Sequence, residues 1–262
     1  MINTFDLSEK IVLITGGYGH LGEAIVSHLA YYNASVYVLG RDKSKFEEVF
    51  GENSLFNKAI KFVECTVEDT DSIKNAFNYV DTIEGKIDVL INNAFYSKGQ
   101  SPENMTDEEW DYGIEGTLSA TFRCIREIIP YMKKNIGGKI INVASMYGVV
   151  APQFEIYNDY QTYLNPPHYG AAKAGIVQLT KYYASYLGNK YNINVNCVTP
   201  GPFPSYNVQE TKGFVEQLKS KTCLNRIGLP EDLAGTFTFL ASNASNFITG
   251  QNIVVDGGWT IK

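Results

Sequence analysis

The chain has 262 residues, of which 44% are hydrophobic and 19% are charged, a balance that is ordinary for a globular protein. Its net charge of −6 argues against nucleic acid or an anionic membrane as a main partner. The sequence contains neither an export leader nor a run of about 18 apolar residues, so we expect a cytoplasmic protein. The four cysteines are far apart, which predicts free thiols and no metal site; they are Cys65, Cys124, Cys197 and Cys223.

Short apolar runs rich in β-branched residues alternate along the chain with longer segments of helical spacing. The predicted strands are Ile11–Thr15, Ser35–Leu39, Lys61–Glu64, Ile87–Asn92, Lys139–Val143, Asn192–Val198 and Asn252–Val255. The predicted helices include Leu21–Tyr31, Asp107–Lys134, Tyr169–Leu187 and Pro230–Ala241. This alternation predicts an α/β fold, a doubly wound parallel β-sheet flanked by helices on both faces.

No repeat or linker divides the chain, so we predict one domain over residues 1–262. Two long connections, Val149–Pro167 and Pro200–Arg226, interrupt the alternation. Both follow strand ends, where doubly wound sheets bind ligands. We therefore expect one elaborated domain with its ligand site beside these connections.

The first strand continues into a glycine-rich turn, Thr15–Gly22, which opens a helix. Glycines let the backbone approach a pyrophosphate, whose charge the helix N-terminus favours. The turn predicts phosphate binding; its candidate residues are Gly16, Tyr18, His20, Leu21 and Gly22.

Tyr169 and Lys173 stand four residues apart and share one face of a helix. An ammonium beside a phenol favours the phenolate, so Lys173 is expected to lower the pKa of Tyr169. The hydroxyl of Ser145, from a strand end, is placed to hold a carbonyl oxygen. The three residues predict a proton-transfer site that interconverts alcohol and ketone, although the pair alone also fits an ordinary helix surface.

Further motifs stand in order along the chain, namely Asn92-Asn93-Ala94, Pro200-Gly201, Thr249-Gly250-Gln251 and Asp256-Gly257-Gly258. Together with the glycine turn, Ser145 and the Tyr169/Lys173 pair, they resemble the short-chain dehydrogenase/reductase family over almost the whole chain. The resemblance implies a single Rossmann-like domain, a bound nicotinamide dinucleotide and often a tetramer.

The resemblance also implies roles for individual residues. Asn93 and Ala94 would line the adenosine ribose, and Lys173 would bind the nicotinamide ribose beside Tyr169. The turn Pro200-Gly201 would back the nicotinamide ring, and Phe203 and Ser205 would continue toward its carboxamide.

The end of the second strand is expected to select between NAD and NADP. The family's NAD-selecting aspartate would fall at Gly40, and the next residue, Arg41, can pair with a 2′-phosphate. This favours NADP(H) over NAD(H), unless Asp42 turns inward instead of capping the next helix. Thr66 stands where the family often has an adenine-contacting aspartate, so Thr66 and Val67 are the candidate adenine contacts.

Two positions depart from the family's pattern. Thr117 falls where the family has an asparagine that belongs to a water-linked proton relay. Threonine could hold a water, the relay could be rerouted, or the residue could simply pack the helix. His20 replaces a usual glycine of the phosphate turn, and its imidazole could contact phosphate.

The segment 149–167 inserts between Ser145 and Tyr169, whose separation of 24 residues is about twice that common in the family. Its tyrosines, carboxylates and amides suit a polyhydroxylated substrate, and a surface loop or oligomer contact is the alternative. The candidate substrate residues are Tyr147, Phe154, Tyr157 and His168. Residues 202–226 are expected to form a substrate lid, mobile over 206–226.

These expectations favour an NAD(P)-dependent oxidoreductase acting on a sugar-like alcohol or ketone, with Tyr169 as general acid/base. The alternatives are a 3-oxoacyl thioester reductase and a non-catalytic dinucleotide sensor. Lys and Arg residues at 212, 219, 221 and 226 leave the thioester possible. In the family that the sequence resembles, long helices like those of the middle and catalytic segments pack across a two-fold axis, which implies a homotetramer, or a dimer. We expect a small-molecule substrate.

Overall fold

The computed structural model describes residues 3–51 and 58–262. The strands there are β1 (Ile11–Thr15), β2 (Ser35–Gly40), β3 (Ile60–Glu64), β4 (Val89–Asn92), β5 (Gly138–Val143), β6 (Ile193–Pro200) and β7 (Asn252–Val255). They form one seven-stranded sheet in the order β3-β2-β1-β4-β5-β6-β7. Every neighbouring pair is parallel. The predicted doubly wound, Rossmann-like α/β fold is confirmed.

Helices connect the strands. They are α1 (His20–Tyr31), α2 (Lys43–Phe50), α3 (Thr70–Glu84), α4 (Asp107–Ile114), α5 (Ala120–Lys134), α6 (Pro167–Tyr191), α7 (Tyr206–Gln209), α8 (Lys212–Lys221) and α9 (Pro230–Ala241). A π-helical segment, Glu115–Ser119, joins α4 to α5.

The sheet is buried on both faces because its strands carry apolar side chains at successive positions. Val12 and Ile14 pack into the layer that contains α1, α2 and α9. Ile11 and Leu13 pack into the opposite layer, with α3, α5 and α6. One strand therefore supplies both halves of the core.

The predicted strands lie within two residues of the observed ones. Among the helices, α1 and α9 match closely, α6 is longer than predicted, and the predicted Asp107–Lys134 helix is divided by the π-helical segment. Helices α2 and α3 are not among the predicted helices. Helix α2 is short, and α3 is polar overall with the apolar side chains of Tyr79 and Ile83 exposed, which blurs its helical pattern.

The two long connections contain short helices of their own. Residues 149–167 include 3₁₀ turns at Phe154–Tyr157 and Gln161–Tyr163, and residues 202–226 include α7 and α8. Tyr157, Tyr163 and Phe214 belong to one apolar cluster, so the two connections pack against each other. As for membranes, none of the helices in residues 3–51 and 58–262 has the length and apolar character to span one.

Candidate active site

A cleft of about 510 Å³ opens at the carboxyl ends of β1 and β4, where the strand order reverses and doubly wound folds bind ligands. Its lining includes the following candidate residues: Gly16, Tyr18, His20, Leu21, Gly22, Arg41, Val67, Asn93, Ala94, Ser145, Tyr169, Lys173, Pro200, Gly201, Phe203 and Ser205. Thr66 is not among the lining residues; its amide donates to Ser72 Oγ at 2.9 Å. The neighbours Cys65 and Glu68 line the cleft instead.

Hydrogen bonds join the two loops at the reversal point. Asn93 Nδ2 donates to the carbonyls of Thr15 and Gly16, at 3.1 and 3.0 Å. Thr15 Oγ1 accepts from the amides of Asn93 and Ala94, both at 3.0 Å. Asn93 therefore holds the glycine turn in place, in addition to lining the cleft.

The glycine turn is built for close approach of a ligand to the backbone. Gly16 has φ +65°, which L side chains rarely adopt, and a Cβ at Gly22 would lie 2.6 Å from the Gly16 carbonyl oxygen. The N-cap residue of α1, Gly19, provides no side-chain cap, so the first amides of the helix are not satisfied by a side chain. Such amides suit an anion.

His20 is part of this turn and also contacts the second connection. Its ring packs edge-on against Tyr206 of α7, with centroids 5.1 Å apart. Both ring nitrogens are buried without a hydrogen-bond partner in the described residues. Burial lowers the pKa of His20.

At the other end of the cleft, Tyr18 organises the residues after β2. A Cβ at Gly40 would lie 2.4 Å from the Tyr18 ring, so the ring occupies the space that an acidic side chain would need there. Tyr18 Oη accepts from the amides of Arg41 and Asp42. The Asp42 carboxylate accepts a hydrogen bond from the Lys45 amide at 3.1 Å. Asp42 therefore caps α2 and does not turn into the cleft.

Ser145, Tyr169 and Lys173 meet at the inner end of the cleft. Ser145 follows β5 and caps the turn Met146–Gly148. A Cβ at Gly148 would lie 2.6 Å from the Lys173 carbonyl carbon, so this glycine lets the serine turn rest directly on α6. Lys173 Nζ donates to the Val143 carbonyl at 2.7 Å and lies 5.6 Å from the centroid of the Tyr169 ring.

The expected lowering of the Tyr169 pKa by Lys173 does not hold for this structure. Burial raises the pKa of the Tyr169 phenol, and the Ser145 hydroxyl offsets this only in part. Burial also lowers the pKa of Lys173 to about 7, so the lysine is only partly charged at neutral pH. Helix spacing brings the two groups together but does not determine their burial, and desolvation on burial opposes charge on both groups.

Thr117 lies in the π-helical segment and is buried. Its carbonyl accepts from Thr121 Oγ1 at 2.9 Å, whereas its own Oγ1 lacks a hydrogen-bond partner in the described residues. Thr117 does not line the cleft. A buried hydroxyl without a protein partner has room for a water as well as for packing, so the three alternatives for Thr117 stay predictions.

The candidate substrate residues lie outside the lining of the cleft. Tyr147 and Tyr157 are buried and their hydroxyls are 2.7 Å apart, and Phe154 is exposed. His168 is fully buried; its Nε2 lies 2.9 Å from the Lys98 carbonyl oxygen and its ring packs on Gly113. His168 therefore has a packing position away from the substrate, whereas the Tyr147/Tyr157 pair shares an apolar cluster with Tyr169.

Phe95 and Tyr96 also line the cleft and are not among the candidate residues. The Phe95 ring lies edge-on to Tyr169, with centroids 5.7 Å apart, and Lys173 Nζ is 5.3 Å from its centroid. The signal in the sequence is the pair of aromatic residues directly after Asn92-Asn93-Ala94. Those residues follow the same strand end as Asn93 and share its access to the cleft.

These features fit a nicotinamide dinucleotide. The uncapped helix N-terminus and the Gly16 and Gly22 backbone suit a pyrophosphate, and Arg41 lies where an adenosine ribose or its phosphate would lie. Ser145, Tyr169 and Lys173 lie along the same cleft, where a substrate carbonyl would be held. A cleft with these groups defines a dinucleotide-binding α/β oxidoreductase.

Comparison with known proteins agrees with this class. A family model described as enoyl-(acyl carrier protein) reductase matches residues 19–260. A 3-oxoacyl-acyl-carrier-protein reductase of Thermotoga maritima is 34% identical over 97% of this chain and 99% of its own length. A 2-dehydro-3-deoxy-D-gluconate 5-dehydrogenase of Dickeya dadantii is 31% identical over the full length of both chains.

Among solved structures, a gluconate 5-dehydrogenase from Burkholderia cenocepacia in complex with NADP and tartrate superposes with a TM-score of 0.87. It is 25% identical and covers 99% of this chain and 98% of its own. The chain belongs to the short-chain dehydrogenase/reductase family. It is an oxidoreductase that acts on CH–OH and C=O groups, and the alternative of a non-catalytic sensor is set aside.

The buried Lys173 makes the free energy of unfolding depend on pH. Its pKa is about 7 in the folded chain and 10.5 in the reference state, so between these values the unfolded chain binds the extra proton and stability rises with pH. Lys173→Met removes this dependence. We expect the stability of the variant relative to wild type to fall by on the order of 2 kcal/mol from pH 6 to pH 9, measured by chemical denaturation. Lys181→Met, at an exposed lysine of the same helix, is the control and should parallel wild type; a Lys173→Met curve that also parallels wild type would contradict the burial of this charge.

Proposed function

We propose that the protein interconverts a ketone and a secondary alcohol of a hydroxyl-rich, sugar-like substrate, with NADP(H) as the favoured cofactor. The observation that carries the reaction is the meeting of Ser145, Tyr169 and Lys173 at one end of a cleft whose other end presents Arg41. The bound cofactor supplies or accepts the hydride. The side chains of the protein orient the substrate oxygen and transfer the proton.

In this proposal, Ser145 Oγ donates a hydrogen bond to the substrate oxygen and orients it toward Tyr169. A phenol is protonated at neutral pH, and burial raises the pKa of Tyr169 further; in reduction, Tyr169 gives its proton to the carbonyl oxygen. Lys173, held by the Val143 carbonyl, binds the ribose and restores the proton. Phe95 packs edge-on against Tyr169 and gives the phenol an apolar neighbour at this end of the cleft.

NADP(H) is favoured by the residues that follow β2. Tyr18 fills the space beside Gly40 where an NAD-selecting acid would stand, and Asp42 is engaged as a helix cap. Arg41 lines the cleft and offers a guanidinium to a 2′-phosphate. The NADP complex of the gluconate 5-dehydrogenase neighbour gives this preference further support.

The sugar-like substrate is favoured by the surroundings of Tyr169. The Tyr147 and Tyr157 hydroxyls pair at 2.7 Å in the apolar cluster that also contains Tyr169. Two phenols that bond each other still leave one hydroxyl hydrogen to donate. The pair does not line the cleft, so in this proposal it offers that hydrogen to a substrate hydroxyl that enters the cluster beside Tyr169, whereas an alkyl chain has no group to accept it.

A phosphorylated acyl carrier, by contrast, meets cations of which three are paired, while Lys212 is exposed and has no ion-pair partner in the described residues. Lys221 is paired with Glu155 at 2.8 Å, Lys219 with Glu216 at 2.7 Å, and Arg226 with Asp232 at 2.5 Å. The 3-oxoacyl thioester reductase stays the second candidate because a reductase of that name is 34% identical to this chain.

We also propose that the chain assembles as a homotetramer or dimer in the cytoplasm. Helix α6 carries two stacked tyrosines, Tyr182 and Tyr186, that are 62% and 55% exposed. Phe122 of α5 and Trp110 of α4 are exposed as well. Aromatic side chains of this kind are typical of interfaces, and these helices are the ones that resemble the family's assembly helices.

Tyr169→Phe tests the proton donor. The variant loses the phenolic proton and keeps the ring, so we expect turnover to fall about 10²- to 10⁴-fold or more while the NADPH dissociation constant stays within about twofold. Initial-rate assays and fluorescence titration measure the two quantities. Tyr79→Phe, at an exposed tyrosine of α3, is the matched control and should retain full activity. Unchanged turnover in Tyr169→Phe would contradict the role of Tyr169 as proton donor.

A substrate panel with NADPH distinguishes the two candidate substrate classes. We expect kcat/KM for ketoses and keto sugar acids to exceed that for acetoacetyl thioesters by at least about tenfold, because a site that hydrogen-bonds hydroxyls rejects analogues without them. Tyr157→Phe should narrow this ratio, and Tyr79→Phe should not. The opposite ranking would favour the thioester reductase.

Assembly is tested by sedimentation equilibrium. We expect the wild type to be a tetramer or dimer and the double variant Tyr182→Glu/Tyr186→Glu to dissociate, because two buried carboxylates would be left unpaired. Tyr79→Glu adds a charge on a different helix and should leave the assembly intact. A monomeric wild type contradicts the proposal.

A further inference from the structure

An ion pair between the loops after β2 and β3 lies in the wall of the cofactor cleft. Arg41 Nη1 and Glu68 Oε1 are 3.2 Å apart, and their side chains are 64% and 40% exposed. Both residues line the cleft, although they stand 27 positions apart in the sequence and follow different strands. An ion pair this exposed contributes little to folding stability, so its effect is expected on what binds in the cleft.

The surrounding residues anchor the backbone from which the Arg41 side chain extends, and Glu68 is the acidic partner of its guanidinium. The Arg41 and Asp42 amides donate to Tyr18 Oη at 3.1 and 3.2 Å, which anchors the backbone of this loop. Asp42 accepts from the Lys45 amide and therefore belongs to the cap of α2. Gly40 has no side chain, and the ring of Tyr18 covers it.

A 2′-phosphate and the Glu68 carboxylate would need the same guanidinium. Arginine binds a phosphate through paired N–H groups, and here Nη1 already donates to Glu68. A phosphate that reaches Arg41 must displace the carboxylate or lie close to it, and like charges at such distances repel even in water. A 2′-hydroxyl carries no charge and meets no such penalty.

We propose that Glu68 is a specificity-determining residue that opposes NADP(H) by competing with the 2′-phosphate for Arg41. Arg41 favours the phosphate and Glu68 moderates that preference, so the discrimination between NADP(H) and NAD(H) is smaller than Arg41 alone would give. This inference rests on the proposed cofactor site, and it concerns the balance between two residues of that site.

Glu68→Gln keeps the size and the hydrogen-bonding oxygen of the side chain and removes its charge. We expect the NADPH dissociation constant to fall roughly three- to tenfold and that of NADH to change by less than about twofold. Arg41→Gln should raise the NADPH dissociation constant by about tenfold or more, and in that background Glu68→Gln should have a smaller effect, because the shared partner is gone. All values come from fluorescence titration, which requires no substrate.

Asp71→Asn is the matched control. It removes one charge from an exposed ion pair with Lys74 on the neighbouring helix and should leave both dissociation constants within about twofold of wild type. Repeating the titrations at high salt should reduce the gain of Glu68→Gln, since exposed charges are screened.

The outcomes separate this inference from the proposed function. A wild type that binds neither dinucleotide overturns both. If Arg41→Gln weakens NADPH binding while Glu68→Gln leaves it unchanged or weaker, the cofactor proposal stands and the role of Glu68 is overturned. If the wild type binds NADH more tightly and Glu68→Gln still strengthens NADPH binding, the role of Glu68 stands and the preference for NADP(H) is overturned.

Discussion

The hydrogen bonds from Asn93 to the Thr15 and Gly16 carbonyls lie at the point on which the rest of the site depends. The sheet order reverses between β1 and β4, so the loops after these strands diverge and leave a cleft between them. Without a connection across it, the glycine turn would be free to move away from the β4 loop. The Asn93 side chain, together with the bonds from the Asn93 and Ala94 amides to Thr15 Oγ1, holds the glycine turn beside the β4 loop.

A second buried polar chain extends from this junction toward the reacting residues. Asn92 Nδ2 donates to Asn142 Oδ1 at 2.8 Å, Asn142 Nδ2 donates to Thr180 Oγ1 at 2.9 Å, and Thr180 lies on α6. The chain crosses from β4 to β5 and then to the helix that carries Tyr169 and Lys173. Buried polar groups are costly unless each finds a partner, so these bonds specify how α6 docks on the sheet. The same edge of the sheet, at the carboxyl ends of its strands, therefore positions both the glycine turn and the proton-transfer residues.

The extent of what could be predicted follows from the range of the interactions involved. Strands buried on both faces appear in the sequence as continuous apolar runs. The glycine turn and the Tyr169/Lys173 spacing are local patterns, so all three features could be predicted from the sequence. The pairing of Arg41 with Glu68 and the exclusion of an acid at Gly40 by Tyr18 join residues 27 and 22 positions apart and have no local signature. The effect of burial on Lys173 was inaccessible for the same reason, because desolvation is set by everything that packs around α6. The π-helical turn at Thr117 likewise depends on how α4 and α5 fit their neighbours.

In the segment 149–167, the aromatic composition that suggests a substrate surface also has a packing role. Its tyrosines suit a sugar face, yet Tyr157, Tyr160 and Tyr163 surround Phe214 of α8, with ring centroids 5.8, 5.4 and 4.7 Å away. Tyr163 Oη also lies 2.7 Å from Thr211 Oγ1, and Glu155 is paired with Lys221. These contacts join the insert to both ends of α8, so the two connections form one unit beside Tyr169. Because His20 packs on Tyr206 of α7, that unit also contacts the glycine turn, so one continuous set of aromatic contacts joins the glycine turn to the surroundings of Tyr169.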